Sequence, residues 1–328
     1  MKQLADVTLL RTLAVISLVI WHCYCPYLSW NTVFCSEVGG VYSRVLTNII
    51  PDANMPLFTF LAGYLFYYLL EEKGKYHAFK DFAIGKINRL FVPFLVLGTI
   101  MNLTMYGRSL EEILYGQPNH MWYCLMLFYV YILFWFIHNK CHPIINGLLA
   151  VVSFSVVAYG LGALNYKMIG GLLLPIYYYW YFYTGFMVYK YKNKIFEFKS
   201  LALILFSLIY IVTVVTGNTH TIGIKSICYI MVLVLLANSI TNKPVINYSS
   251  GLWHSIEKIS HYSFGIYVFH MYIIWNITRV PVIVDYLKPY MITHYILFPI
   301  VLFVVVFSVS YWLTDLSLKT KIGRYFLL

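Results

Sequence analysis

The sequence predicts an all-α, polytopic membrane protein with about ten transmembrane helices in one bundle and both termini in the cytoplasm. Of its 328 residues, 61% are hydrophobic and 11% are charged, whereas about a quarter of the residues in soluble domains are charged. Runs of about 20 apolar residues, enough for a helix to cross a bilayer core, recur from end to end. Little remains for a soluble domain, so we expect 1–328 to form a single integral membrane domain.

Ten stretches have the length and hydrophobicity of a membrane span. The first is too long, and its N-terminal flank too weakly charged, for a cleaved signal peptide, so we expect it to remain as a span. The ten stretches are about 8–29, 49–70, 84–106, 120–138, 144–162, 169–190, 199–216, 222–239, 259–278 and 292–314.

The distribution of Lys and Arg predicts the orientation, because positive charges are retained on the cytoplasmic side. With the N-terminus inside, the inner segments hold 17 of the 23 Lys and Arg residues, and the outer segments hold six. The net charge of +11 is divided among short loops, without the clustered basic face of a nucleic-acid-binding domain. We therefore expect membrane lipids, and no nucleic acid, as partners of the inner loops. A phosphorylated ligand from the cytosol is a more specific alternative to lipids.

The six cysteines form no recognisable disulfide or metal framework. Cys23, Cys25 and Cys35 lie near the predicted outer face, where an oxidising compartment could pair two of them. The stretches "HCYC" and "HNKCH" bring His and Cys close together but lack the paired spacing of a structural zinc site. No metal is therefore expected.

The first span contains two ionisable side chains, Arg11 and His22, in "RTLAVISLVIWH". Placing such groups inside a membrane costs free energy. Eleven residues make three helical turns plus about 20°, so the two side chains share a face and are separated by about 16 Å along the axis. A purely structural explanation is that Arg11 extends to the inner headgroups and that His22 is a neutral packing residue. Ionisable groups within a membrane usually face the bundle interior or a cavity, which favours a functional pair that one long ligand could touch.

Four stretches resemble motifs of the acyltransferase-3 family of integral membrane acyltransferases. The first is the Arg11 to His22 segment, and the others are "MPLFTFLAGYLF" (55–66), "NHMWYCLMLF" (119–128) and "KISHYSFGIYVFHMYI" (258–273). The second is most similar to the sugar O-acetylase branch, although Ala62 replaces the usual serine and Asn54 a common histidine. These departures argue against a nucleophile at position 62.

The resemblance implies transfer of an acyl group, usually acetyl, from cytosolic acyl-CoA to a hydroxyl of a cell-envelope saccharide in the bacterial inner membrane. We predict His22 as the general base, because imidazole titrates near neutral pH. Arg11 is expected to bind acetyl-CoA, the acyl donor. Lys86 and Arg89, in the family-like "KINRLFVPF", would extend the donor site unless they serve only as topogenic charges.

Four further residues are expected to bind the saccharide acceptor or support His22. His120 and Trp122, at the outer end of the fourth span, could form a sugar site or belong to an interfacial aromatic belt. Tyr267 and His270 share a helical face with Ser263, and could bind the acyl carbonyl, orient His22 or form an interhelical contact. Asp52 is a further candidate to orient His22.

Two other function classes remain open at this stage. An exporter or flippase of a glycan or lipid-linked saccharide is the first, although the chain shows no pair of related halves of the kind common in transporters. A non-enzymatic assembly subunit, in which the histidines only pack, is the second. Loss of activity on replacing His22 in a folded protein would exclude the assembly subunit.

Overall fold

The computed structural model describes residues 4–27, 54–106, 111–114, 119–158, 171–216, 222–242 and 248–327. Within these residues the chain is helical and contains no strand, which confirms the all-α prediction. The helices are α1 (Ala5–Tyr24), α2 (Asn54–Tyr67), α3 (Phe79–Lys86), α4 (Val92–Met101), α5 (Glu111–Leu114), α6 (Trp122–Lys140), α7 (Ile144–Ala158), α8 (Leu174–Lys190), α9 (Lys192–Glu197), α10 (Lys199–Thr216), α11 (Ile222–Thr241), α12 (Gly251–Arg279), α13 (Pro281–Thr293), α14 (Leu297–Leu318) and α15 (Lys321–Leu327).

Six helical segments in the described part of the chain are long and apolar enough to cross a membrane, and a bent pair raises the number to seven. Each of the ten predicted stretches contains a helix. Some of these helices are shorter than the roughly 20 residues of a straight span. For example, α7 has 15 residues and α8 has 17. The multi-pass class is confirmed, and the number ten stays a prediction. The six segments that are long and apolar enough to cross a membrane are Ala5–Tyr27, Phe79–Thr104, Trp122–Lys140, Lys199–Thr216, Gly223–Thr241 and Leu297–Leu318.

The connection after the ninth predicted stretch is helical, which the sequence analysis did not predict. α12 ends at Arg279, and α13 starts at Pro281 with a bend of 84° between them. Val280 is extended, with φ −72° and ψ 116°, as expected for a residue that precedes proline. Proline at the first helical position then suits the start of a new helix.

The third predicted stretch is one continuous helical segment with irregular turns. Two π-helical turns, Ile87–Phe91 and Asn102–Tyr106, flank α4, and a third, Tyr68–Glu72, continues α2. Such turns widen a helix locally and often occur at functional positions. Apolar periodicity does not distinguish them from α-helix.

The chain divides into two compact units, one formed by Met1–Asn54 and Leu236–Leu328, and the other by Met55–Leu235. The core of the first unit consists of α1, α12 and α14. Thr12 Oγ1 donates to the Ile256 carbonyl oxygen at 2.9 Å, and His22 contacts His270 farther along both helices, so α1 and α12 run in the same direction. That these units form the single domain predicted from sequence stays a prediction.

α14 runs antiparallel to α12 in the same unit. Tyr262 of α12 donates to Asp315, near the end of α14, at 2.6 Å. A Cβ atom on Gly265 would lie 2.4 Å from Thr314 Cγ2, so the absence of a side chain permits this close approach. The three helices therefore place the starts of α1 and α12 and the end of α14 at one end of the unit.

The second unit contains α2 and α8 in backbone contact. A Cβ atom on Gly63 would lie 1.9 Å from the Phe182 carbonyl oxygen, and one on Gly185 would lie 2.0 Å from that of Phe60. The fully buried ring of Phe66 packs nearby against aromatic rings of α6 and α8. The aromatic run at 175–186 thus contributes to helix packing.

Candidate active site

His22 and His270 form a direct pair inside the first unit. His22 Nδ1 lies 3.3 Å from His270 Nε2, and the ring centroids are 4.9 Å apart with an interplanar angle of 60°. His22 is half-buried, whereas His270 is completely buried. The structure thus brings together one residue from the first motif-like stretch and one from the last, 248 positions apart in the sequence.

Each histidine also lies against the preceding turn of its own helix. His22 Nδ1 is 2.9 Å from the Leu18 carbonyl oxygen, and His270 Nδ1 is 3.0 Å from that of Ile266. These local contacts limit rotation of both imidazole rings. The pair is thus held by its helices as well as by its mutual contact.

Two aromatic side chains lie against the pair. Tyr267 is buried, with its ring 6.1 Å from that of His270, and Trp21 meets the His22 ring edge-on at 5.4 Å. Ser263, on the same face of α12 as Tyr267, is also buried. Trp21 was not predicted as a site residue, although its position beside His22 was a signal that could have identified it.

Arg11 lies on α1 near the opposite end of the unit from the histidine pair. It is half-buried, and its neighbour Thr12 is bonded to α12 at Ile256. Two residues beyond Ile256, Lys258 lies 3.5 Å from Asp315 Oδ1, and Lys319 lies 3.0 Å from Oδ2 of the same carboxylate. Arg11 thus lies at the end of the unit where two lysines pair with Asp315.

Lys86, in the second unit, has its ammonium group among aromatic rings. Its Nζ atom lies 3.5 Å from the centroid of Tyr131 and 5.0 Å from that of Tyr76, and it is 3.5 Å from Tyr76 Oη. Cation–π contacts of this kind stabilise a partly desolvated ammonium, which favours a packing role for Lys86. Arg89, one turn later, is exposed, and the part of both residues in donor binding stays a prediction.

His120 and Trp122 mark the start of α6 in the second unit. His120 belongs to the short 3₁₀ turn Asn119–Met121 and is half-buried. The Trp122 ring, also half-buried, lies 5.5 Å from the ring of Tyr178. The role of these two residues in acceptor binding also stays a prediction.

The position of Asn54, where the resembled branch often has histidine, is occupied by a buried amide in the first unit. Ser17 Oγ, on α1 of the same unit, donates to Asn54 Oδ1. Asp52, the other candidate to orient His22, lies outside the described residues.

No metal or disulfide arrangement is present within the described ranges. There, no group of three or more His, Cys, Asp or Glu side chains could hold a metal ion. Neither Cys23 nor Cys25 forms a disulfide among the described residues, and Cys35 lies outside them.

Comparison with known proteins gives one match. No curated protein and no solved structure matches the chain. A family model described as an acyltransferase domain matches residues 4–315, a range that includes Arg11, His22 and His270. Since that match covers nearly the whole sequence, the chain belongs to the acyltransferase-3 family and is a membrane acyltransferase.

Proposed function

We propose that this protein is an O-acetyltransferase of the bacterial inner membrane. It transfers acetyl from cytosolic acetyl-CoA to a hydroxyl of a cell-envelope saccharide. The observation that supports it most is the His22 and His270 pair, within a family of acyltransferases and at the far end of α1 from Arg11. A base at one end of the helix and a cation at the other suit a long, phosphorylated donor.

In the proposed reaction His22 acts as general base. It takes the proton of the saccharide hydroxyl as the hydroxyl oxygen attacks the thioester carbon. The new carbon–oxygen bond forms, the carbon–sulfur bond breaks, and the CoA thiolate leaves and receives the proton from His22. The products are an acetyl ester and CoA thiol, with His22 returned to its neutral form.

Arg11 binds the donor phosphates in this proposal. Guanidinium groups bind phosphate through paired hydrogen bonds, and the nearby Lys258 and Lys319 add positive charge at the same end of the unit. The spacing of about 16 Å between Arg11 and His22 requires a donor with a long arm between its phosphates and its reactive carbonyl. The pantetheine arm of CoA is such a link.

The saccharide acceptor is proposed to bind near aromatic and hydroxyl groups. Tyr267, beside the histidine pair, is the proposed hydrogen-bond partner of the acyl carbonyl or the acceptor. His120 and Trp122 are the proposed sugar contacts of the second unit, since an indole face packs against the C–H surface of a sugar while imidazole bonds its hydroxyls.

The test uses the purified protein in lipid nanodiscs with acetyl-labelled acetyl-CoA and an extracted pool of envelope saccharides. A nanodisc encloses no compartment, so an exporter has no measurable product there. The proposal predicts labelled, alkali-labile ester on a saccharide, formed equally by wild type and by His261→Ala, a control at an exposed histidine of α12. Saccharide binding without ester formation would contradict the proposal and favour the exporter.

A further inference from the structure

We infer that His270 is a positioning residue that fixes the tautomer of His22 and thereby makes Nε2 of His22 the basic atom. The inference rests on the proposed function, in which His22 is the general base. It goes beyond that function by naming the nitrogen that takes the proton and the residue that selects it.

The tautomer of His270 follows from its own helix. Its Nδ1 atom lies 3.0 Å from the Ile266 carbonyl oxygen, which can only accept a hydrogen bond. Nδ1 must therefore carry the hydrogen, because two lone pairs at this distance would repel. A neutral imidazole has one N–H, so Nε2 of His270 is an acceptor.

The tautomer of His22 follows from that of His270. Nδ1 of His22 faces two acceptors, the Leu18 carbonyl oxygen at 2.9 Å and His270 Nε2 at 3.3 Å. A hydrogen on Nδ1 can be donated to both acceptors, whereas a lone pair on Nδ1 would face the lone pairs of both acceptors and be repelled by them. Neutral His22 therefore holds its lone pair on Nε2, the nitrogen at the far side of the ring from His270.

The same arrangement keeps the charge on His22 after proton transfer. When Nε2 takes the hydroxyl proton, the ring becomes an imidazolium and its Nδ1–H bonds become charge-assisted, which strengthens them. His270 is fully buried, and a second positive charge 3.3 Å from a charged His22 would be strongly unfavourable. His270 thus supports the imidazolium as an acceptor, a role that buried carboxylates fill in catalytic triads.

Complete burial of His270 favours this role over direct contact with the saccharide. A purely structural interhelical contact remains the competing explanation. The two can be separated because asparagine and glutamine each reproduce one nitrogen of histidine. The amide of asparagine corresponds to Nδ1, and that of glutamine corresponds to Nε2.

The kinetic test compares His270→Gln with His270→Asn in nanodiscs. Glutamine can present its Oε1 to His22 Nδ1, whereas asparagine keeps only the link to Ile266. We expect kcat of His270→Asn to fall about 10- to 100-fold, as for other residues that orient a functional histidine. KM for acetyl-CoA should stay within about twofold, and His270→Gln should regain most of kcat. Equal activity of the two variants would overturn the inference.

The second test needs no turnover and separates this inference from the proposed function. Nitrogen-15 spectra of histidine-labelled protein in nanodiscs distinguish protonated from unprotonated ring nitrogens, and the His22 signals are assigned by their loss in His22→Gln. The wild type should show a protonated Nδ1 and an unprotonated Nε2, and His270→Asn should show a mixture of tautomers. An unprotonated Nδ1 in wild type would overturn the inference. An active His22→Gln variant would instead overturn the assignment of His22 as base.

Discussion

At the scale of single residues, Arg11 and His22 are placed by the helical repeat of α1. Their spacing of eleven positions puts both on one face, and both are half-buried. That regularity is local, so the sequence predicts it directly. Arg11 is next in sequence to Thr12, which donates a hydrogen bond to the Ile256 carbonyl oxygen. Arg11 therefore lies at the end of the first unit that contains Lys258 and Lys319.

Replacing Arg11 should weaken donor binding more than chemistry. We expect Arg11→Ala to raise KM for acetyl-CoA at least tenfold, because one charge-assisted bidentate contact contributes on the order of 1.5–3 kcal/mol. Arg11→Lys should recover only part of the affinity, since an ammonium lacks the planar fork.

Initial rates against acetyl-CoA concentration measure the Arg11 effect, with Arg324→Ala as the control at an exposed arginine of α15. An unchanged KM in Arg11→Ala would remove this residue from the donor site.

At the scale of helices, two glycines determine how closely neighbouring helices approach. Gly265 faces the side chain of Thr314 on α14, whereas Gly63 faces backbone atoms of α8 at Phe182. A substitution can remove atoms of a threonine side chain, but no substitution removes a backbone carbonyl oxygen. The two contacts therefore predict different responses to the same added methyl group.

We predict that Gly265→Ala destabilises the protein by about 1–3 kcal/mol, the usual range for an overpacked contact. Thr314→Ala removes the two nearest atoms, so the double variant should recover part of that loss. Gly63→Ala should be at least as damaging, with no such recovery.

Denaturant titration in detergent micelles measures these differences. Gly85→Ala is the matched control, because a Cβ atom there has no neighbour within 4 Å, and it should be neutral or slightly stabilising. Additive effects of Gly265→Ala and Thr314→Ala would contradict the predicted contact.

An ion pair joins the π-helical turn after α2 to α9 and predicts a pH dependence. Lys192 Nζ lies 2.9 Å from Glu72 Oε1. Burial raises the pKa of the Glu72 carboxyl, but hydrogen bonds from Lys192 and Tyr189 outweigh it and hold the pKa below its ordinary value. A carboxyl of this kind stabilises the fold above its unfolded pKa, and this stabilisation is lost as the pH falls through the folded pKa.

The effect should be small because both side chains are partly exposed. We expect wild type to lose about 0.2–1 kcal/mol more than Glu72→Gln between neutral pH and acid pH. Denaturant midpoints at the two pH values measure it, with Glu197→Gln as the exposed control. A Glu72→Gln variant with the full acid response of wild type would show that the pair does not contribute.

At the scale of the whole molecule, the predicted orientation can be compared with helix directions in the first unit. Charge counts place the starts of α1 and α12 and the end of α14 in the cytoplasm, and the structure brings these three positions to one end of that unit. The relative directions therefore agree with the prediction. The side of the membrane on which each end lies stays a prediction.

Cysteine labelling tests the orientation. In a variant with all six native cysteines replaced by serine, Lys288→Cys should react with an impermeant thiol reagent in intact cells. Lys321→Cys should react only after the cells are permeabilised. Both positions are exposed, so their reactivities can be compared directly, and labelling of Lys321→Cys in intact cells would reverse the predicted orientation.

Much of the fold could be predicted from sequence, because apolar runs and loop charges are local features. Arg11 and His22 could be predicted for the same reason. The contact of His22 with His270 could not, since helical periodicity gives the buried face of each helix but not its register against another. The π-helical turns and the helical nature of α13 were also missed, although Pro281 was a signal for the bend.

The central claim is that His22 performs the chemistry while the donor is held elsewhere on α1. The most direct measurement combines acetyl transfer and CoA binding for wild type and His22→Ala in nanodiscs. We predict that His22→Ala binds CoA as tightly as wild type and loses at least 100-fold in transfer rate, as expected on removal of a general base. Transfer at the wild-type rate by His22→Ala would show that His22 is not the general base.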